Sequence, residues 1–235
     1  MKKLILSLLV GAFCLPAIAQ PELSGKAEFV SRSMFRGSDL SSSAALNPEF
    51  NLDWGGFRFN AWGAYAFDNS YSEVDLTVSY SLGDFTLALA DYFYPNGIPG
   101  APDQFFNFKK DETFHQLDAM LTWEPENIPV WAQWSTYVGG DDYNYIDDKR
   151  AFSSYLEAGW YHEFENNLTF SAYAGASVFK GWYTDFTQDF SVVNLGMKLE
   201  KTFSFDNVSF PVSVTYTINP YLEKSFIVFG AAIEF

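Results

Sequence analysis

The stretch VSFPVSVTYTI, residues 208–218, alternates apolar side chains with mostly small polar ones at a period of two. Val208 and Phe210 fall on one face, and Ser209 and Ser213 fall on the other. A strand points successive side chains to opposite faces, so this period predicts a β-strand with one apolar face.

The same period recurs along the chain, whereas the 3.6-residue period of an amphipathic helix does not dominate. Most of the segments reach the ~9–11 residues that a tilted strand needs to cross a bilayer. Twelve strands are predicted at 24–35, 46–54, 57–67, 73–82, 85–94, 112–123, 129–138, 151–163, 167–179, 189–201, 208–218 and 224–235.

The connections between these strands differ systematically in length. Gly55-Gly56 and Gly83-Asp84 are tight hairpin pairs, whereas residues 95–111 form the longest loop. Short turns at one rim and long loops at the other are typical of outer-membrane barrels. We therefore predict an all-β fold, a transmembrane antiparallel up-and-down β-barrel of about twelve strands. The alternative is a secreted β-sandwich, which alternates in the same way but buries its apolar rows.

The composition favours the barrel. Phe, Tyr and Trp make up 20% of the chain, and such rings concentrate at the two membrane interfaces of barrels. The last strand ends in the row Phe229, Ala231, Ile233 and Phe235, which we expect to face lipid, so Ala232 and Glu234 should point inward.

The first residues are typical of an export signal. Lys2 and Lys3 precede an apolar stretch at 4–16, and Ala17-Ile18-Ala19 is an A-x-A cleavage site. We therefore expect a signal peptide at 1–19 and a barrel at 20–235. The only cysteine, Cys14, falls within that signal, so no thiolate metal site is expected.

The charge narrows the possible partners. The formal net charge of −15 argues against nucleic acid, which needs basic clusters. Two histidines leave little room for a metal site, so we predict no metal and no cofactor. We expect a bacterial outer-membrane location, with contacts to the lipid bilayer, to lipopolysaccharide and, through the strand ending at Phe235, to the barrel-assembly machinery.

The polar rows of a barrel face its lumen and carry the candidate functional residues. Charges cannot stay unpaired in a dry interior, so the lumen is either hydrated or filled by ion pairs. We expect Arg32, Arg36 and Arg58 to lie near the acids of the second and fourth strands. Small solutes, polar or cationic, are the expected cargo if the lumen conducts. The predicted charged lumen residues are Lys26, Glu28, Arg32, Arg36, Glu49, Asp53, Arg58, Glu73, Asp75, Asp118, Glu157, Lys198 and Glu200.

Several phrases resemble the TorF-type family of bacterial porins, most densely within 24–95. The resemblance implies a barrel that acts as a channel, and it supplies no substrate. The phrases are Ser31-Arg32-Ser33-Met34-Phe35-Arg36-Gly37, which resembles the first strand of that family, Trp54-Gly55-Gly56-Phe57, Trp62-Gly63, Glu73-Val74-Asp75-Leu76 with Tyr80, Asp91-Tyr92 with Tyr94-Pro95, and Tyr155-Leu156-Glu157.

Two other functions stay open. A lipid-modifying enzyme would need a Ser–His pair on the lipid face, with His115 beside Ser135 or Thr136. We expect no catalysis, because His115 and His162 fit interface positions better.

A surface-interaction barrel would use the long loops. Four acids at 141–148 could gather calcium, although a solvated surface is expected. Phe105-Phe106 and Trp182-Tyr183 could stack on sugars, but we expect them to fold back onto the rim, because exposed rings cost free energy in water.

Overall fold

A computed structural model describes residues 20–95, 104–110 and 112–235. The expected signal peptide at 1–19 lies outside the described residues, as does most of the central part of the 95–111 loop. No helix within the described part is long and apolar enough to cross a membrane.

The described chain is built of β-strands, with one short 3₁₀ turn at Trp182–Thr184. Twelve strands belong to one large sheet, and two very short ones form a separate hairpin. In chain order, the strands are β1 (Glu22–Val30), β2 (Met34–Phe35), β3 (Ser38–Asp39), β4 (Ala45–Trp54), β5 (Phe57–Ala66), β6 (Ser72–Leu82), β7 (Phe85–Phe93), β8 (His115–Trp123), β9 (Val130–Gly140), β10 (Ser154–Phe164), β11 (Leu168–Ser177), β12 (Ser191–Phe205), β13 (Val208–Asn219) and β14 (Lys224–Glu234).

The large sheet closes on itself. Each barrel strand pairs antiparallel with its sequence neighbour, and β1 pairs with both β4 and β14. Lys26 lies opposite Glu234 at the closure, and the backbone groups of Gly25 and Phe235 exchange two hydrogen bonds. The prediction of a twelve-stranded antiparallel barrel is confirmed, and the β-sandwich is excluded because the sheet has no second layer.

The apolar rows lie on the outside of the barrel. Phe50 and Leu52 of β4 are exposed, as are Phe229 and Ile233 of β14, whereas Asn47 of β4 is buried. Phe235 is also exposed and continues the row of β14. A surface this apolar is stable only against lipid or a comparable apolar medium, because its exposure to water costs about 25 cal/mol per Å².

The first strand is shorter than predicted. β1 ends at Val30, and the following residues turn into the barrel, where β2 and β3 form a small hairpin. Arg32 and Arg36 therefore belong to this inward loop, and the prediction that the first strand continues to residue 35 was wrong. The alternation of residues 31–36 looks strand-like because it continues the period of β1. Further along the chain, β12 is longer than predicted and continues to Phe205.

The two rims differ as predicted. Turns such as Gly55-Gly56 and Gly83-Asp84 join strands at one rim, which also holds the first residues of β1 and the end of β14. The opposite rim carries the longer connections at 31–44, 94–114, 141–153 and 178–190. The barrel interior beneath these longer loops contains most of the buried polar groups.

Candidate functional site in the barrel interior

The hairpin of β2 and β3 turns at Arg36 and Gly37. Both residues have positive φ, 48° and 82°, as a two-residue type I′ turn requires. A Cβ at Gly37 would lie 2.0 Å from the carbonyl oxygen of Val193, so only glycine fits against β12 here. A positive φ is strained for a residue with a side chain, so contacts around Arg36 must stabilise this backbone conformation.

The contacts of Arg36 supply that compensation. Its Nη2 donates to Oδ2 of Asp118 at 2.8 Å, and its Nη1 donates to the hydroxyl of Tyr183. Its guanidinium carbon lies 4.7 Å from the ring centroid of Phe35 and 4.9 Å from that of Tyr155. The Asp118 side chain is fully buried and that of Arg36 is 8% exposed, so solvent barely screens this ion pair.

Tyrosines from the barrel wall and from the 178–190 loop complete this cluster. Tyr183, from the 178–190 loop, stacks on Tyr137 with centroids 5.8 Å apart, and its ring lies 5.4 Å from that of Tyr155. Tyr92 of β7 donates to Asp118 at 3.2 Å. Two long loops thus meet inside the barrel around one guanidinium. We call Arg36, Asp118, Tyr92, Tyr155 and Tyr183 the arginine cluster.

The interior beside the arginine cluster remains open. A cavity of about 460 Å³ lies beside the inward loop, lined by β4, β5 and β6 on one side and by β12 and β13 on the other. A second pocket of about 510 Å³ opens at the short-turn rim, beside Lys26, Glu49 and Arg58. Glu28 and Asn47, two residues along the same strands, line the first cavity. The two cavities are therefore neighbours along β1 and β4.

Near the short-turn rim, the predicted lumen charges pair with one another. Arg58 donates to both carboxylate oxygens of Asp53, at 2.7 and 3.1 Å. Lys26 lies 3.5 Å from Glu49 and 3.8 Å from Glu28. These pairs are partly exposed, so each is worth at most about 1 kcal/mol.

Elsewhere along the wall, the charges have other partners. Lys198 and Glu200 lie 2.6 Å apart. Glu157 accepts hydrogen bonds from the hydroxyl of Tyr155 and, at 3.0 Å, from the amide of Asn194.

The expected pairing of the arginines with the acids of the second and fourth strands holds for Arg58 alone. Arg32 pairs with Asp39 inside its own loop, and Arg36 pairs with Asp118 of β8. The loop carries both arginines away from the positions that a continued β1 would have given them. Glu73 and Asp75 consequently have no basic partner within the described part of the chain.

His115 does not form a catalytic pair with Ser135. The imidazole lies on the outward row of β8, with Nδ1 2.8 Å from Asp91 Oδ1 and Nε2 2.6 Å from the carbonyl oxygen of Phe105. Ser135 lies opposite Met120, which contacts Arg36 inside the barrel. The two side chains are therefore on opposite faces of the wall, and no hydroxyl nucleophile meets His115 among its two hydrogen-bonding partners.

The aromatic loop segments have different positions. Phe105 packs against Phe93 and His115 on the outer wall, as expected for a ring that folds back, whereas Phe106 is exposed. Tyr183 enters the barrel interior instead of covering the rim. Trp182 packs against Phe35 of the inward hairpin, with ring centroids 6.5 Å apart.

The acids of the 141–148 loop are dispersed. Asp142 is buried and accepts hydrogen bonds from the backbone and hydroxyl of Ser153. Burial raises the pKa of Asp142, and the Ser153 hydrogen bonds counter that effect. Asp147 contacts Lys149, and Asp148 contacts Lys110. No group of three or more potential ligands for a metal occurs within the described residues.

The tyrosines of the arginine cluster and the lining residues Asn47, Trp62 and Asn194 were not predicted as site residues. Except for Tyr183, which lies in a loop, these residues are on strands, and the alternation of each strand indicates that they face inward. Several strands contribute inward residues to each end of the barrel. The pairing of all these strands decides which of the residues meet, and local sequence does not show it.

The comparisons with known proteins are consistent with this geometry. No family model matches the chain, and no curated protein does. A solved structure of the NanC porin matches with a TM-score of 0.50 and 10% identity, over 91% of this chain and 99% of that one. An outer-membrane channel from Pseudomonas putida F1 matches with a TM-score of 0.44 and 11% identity, over 94% and 96%. The closed antiparallel β-barrel and the likeness to the NanC porin together give the chain a porin-like fold.

Proposed function

We propose that this protein lies in the bacterial outer membrane as a narrow passive channel for small polar or cationic solutes. The observation that carries the proposal is the presence of two cavities along the barrel interior, one of about 510 Å³ at the short-turn rim and one of about 460 Å³ beside the arginine cluster. The charged side chains that line these two cavities require water or ion pairs, because an unpaired charge in a dry interior is costly.

The inward loop sets the expected width of the channel. Twelve strands lie between the small barrels that side chains fill and the ~16–18-stranded porins with open lumens. Here the hairpin of β2 and β3 occupies part of that limited cross-section and leaves a cavity of about 460 Å³ beneath it. The excess of acidic side chains favours cations over anions.

Planar bilayers test the channel directly. Purified, folded protein should give small discrete conductance steps and should prefer K⁺ to Cl⁻ in a salt gradient. Silent membranes, with the protein shown to be folded by its heat-modifiable mobility, would overturn the proposal.

One observation favours a second candidate, a barrel that does not conduct. The rings of Tyr92, Tyr137, Tyr155 and Tyr183 pack into a buried cluster with Val193. If the loops at the outer rim seal the remaining cavity, this cluster is the core of a plug. The same bilayer recording separates the two candidates, because a plugged barrel gives no steps.

We also propose membership in the TorF-type porin family. Three of the resembling phrases supply Arg36, Tyr92 and Tyr155, and these residues meet in the arginine cluster. Replacing residues 31–37 by the corresponding segment of a family member should leave the conductance unchanged. A changed conductance with a folded barrel would count against the shared cluster.

A further inference from the structure

The wall of the 460 Å³ cavity contains two carboxylates with no cation of their own. Glu73 and Asp75 of β6 are 5% and 9% exposed, and both line the cavity. The hydroxyl of Tyr71 donates to Glu73. No ion pair in the described part of the chain includes either carboxylate.

The nearby arginines do not neutralise these carboxylates. Arg32 and Arg36 also line the cavity, but Asp39 and Asp118 already pair with them. The carboxyl groups of Glu73 and Asp75 hydrogen-bond to each other, which requires a proton on one of them because ionised carboxylates only accept hydrogen bonds. A protonated amine from outside the chain would replace that proton and neutralise both carboxylates.

Unsatisfied oxygen atoms occur at the same wall. Oδ1 of Asp75 and Oδ1 of Asn47 are buried and have no hydrogen-bond donor among the described residues. A buried acceptor that lacks its donor costs about 1–3 kcal/mol. Both residues line the cavity, so a ligand seated there would have to bring donors as well as charge.

Aromatic rings flank one of these carboxylates. The strand register places Trp62 of β5 opposite Asp75 on one side and Tyr92 of β7 opposite it on the other. Side chains directly opposite each other on neighbouring strands have Cβ atoms about 4.5–5.5 Å apart. A carboxylate with an aromatic residue on each side is suited to an organic ammonium ion, which both charge and the ring quadrupole attract.

The facing wall offers neutral polar groups. Asn194, Thr215 and Thr217 line it, and the hydroxyl of Thr217 donates to Asn194 at 2.9 Å. These groups can bond to hydroxyls of a solute at the end remote from its amine. The volume of the cavity falls within the ~300–1,000 Å³ range of small-molecule sites.

We propose that this cavity binds a small hydroxylated organic amine in its protonated form, with the ammonium group at Glu73 and Asp75 between Trp62 and Tyr92. The inference rests on the proposed function in that the solute must reach the lumen. It names the class of solute that the passage holds.

Calorimetric titration of the protein in detergent tests this binding without requiring conduction. Glucosamine hydrochloride is the charged probe, and N-acetylglucosamine is its neutral match. The wild type should bind glucosamine and should bind N-acetylglucosamine at least tenfold more weakly. The double variant Glu73→Gln/Asp75→Asn should lose at least tenfold in glucosamine affinity.

The matched control is Asp84→Asn/Glu124→Gln, which removes two exposed carboxylates at the short-turn rim and should bind as the wild type does. Equal binding by the Glu73→Gln/Asp75→Asn variant, or no glucosamine binding by the folded wild type, would overturn the proposal. The absence of glucosamine binding is the result expected if the two carboxyls keep their shared proton instead of binding the amine. Binding of Ca²⁺ in preference to glucosamine would overturn it as well. Glucosamine binding with silent bilayers would overturn the channel and leave this site standing.

Discussion

Removal of the Arg36 guanidinium should release the inward loop. The variant Arg36→Ala leaves the fully buried carboxylate of Asp118 without the partner that it has at 2.8 Å. Breaking a buried ion pair in this way costs about 3–5 kcal/mol, because the remaining charge is uncompensated. The strand ladders of the barrel do not involve Arg36, so we expect the cost to appear as a local change in the loop.

The free-energy cost of breaking the ion pair determines how far the equilibrium shifts towards the released loop. Each 1.4 kcal/mol changes an equilibrium tenfold, so 3 kcal/mol favours the released loop by about two orders of magnitude. The matched control is Arg32→Ala in the same loop. Its partner is Asp39, and both side chains are about a quarter to a third exposed, so its loss should cost at most about 1 kcal/mol.

Two measurements report on the loop. The first is single-channel conductance, which should rise in Arg36→Ala and stay near the wild-type value in Arg32→Ala. The second is the rate at which a membrane-impermeant maleimide labels Ser33→Cys, a position that is 6% exposed. Labelling should accelerate strongly when Arg36→Ala is added. If labelling and conductance are unchanged in Arg36→Ala, or if the two arginine variants have equal effects, the Arg36–Asp118 ion pair does not hold the inward loop in place.

Three further changes test other contacts. Gly37→Ala should prevent the hairpin from packing against β12, because the new Cβ would lie 2.0 Å from a backbone oxygen. The variant should therefore show the same faster labelling of Ser33→Cys as Arg36→Ala does. Labelling at the wild-type rate would contradict this. His115→Ala should free residues 104–110 from the outer wall and speed their proteolysis, whereas His162→Ala, at the other rim, should not. Hydrogen bonds from Ser42 and Ser70 hold the pKa of Asp68 below its usual range, so its contribution to stability should persist above about pH 4 and disappear as the pH falls through the lowered pKa. Asp68→Asn should flatten the dependence of Tm on pH below about pH 4. If the variant and the wild type show the same dependence, the hydrogen bonds from Ser42 and Ser70 do not stabilise the Asp68 carboxylate.

Much of the fold was accessible from local patterns. The period-two rows of β4 and β14 gave both strand positions and facing, because a residue on a pleated strand has only two directions to point. Turn pairs such as Gly83-Asp84 marked hairpins because glycine reaches positive φ without strain. The pattern failed at residues 31–36, where alternation continues although the backbone leaves the wall.

The site was less accessible, since it depends on contacts between residues far apart in sequence. Arg58 and Asp53 are neighbours across a tight hairpin, so their pairing followed from local register. Arg36 and Asp118 are 82 residues apart, and their pairing requires a loop to cross the lumen. No local pattern reports such a crossing.

Alternation and strand length are enough to specify a closed barrel with an apolar exterior and a charged interior. The tertiary structure alone decided which charges are neutralised. The inward loop delivers Arg36 to Asp118 and Arg32 to Asp39, and it thereby leaves Glu73 and Asp75 without a basic partner. Ion pairing in a narrow lumen depends on distances of a few ångströms, and only the folded path of the loop sets those distances.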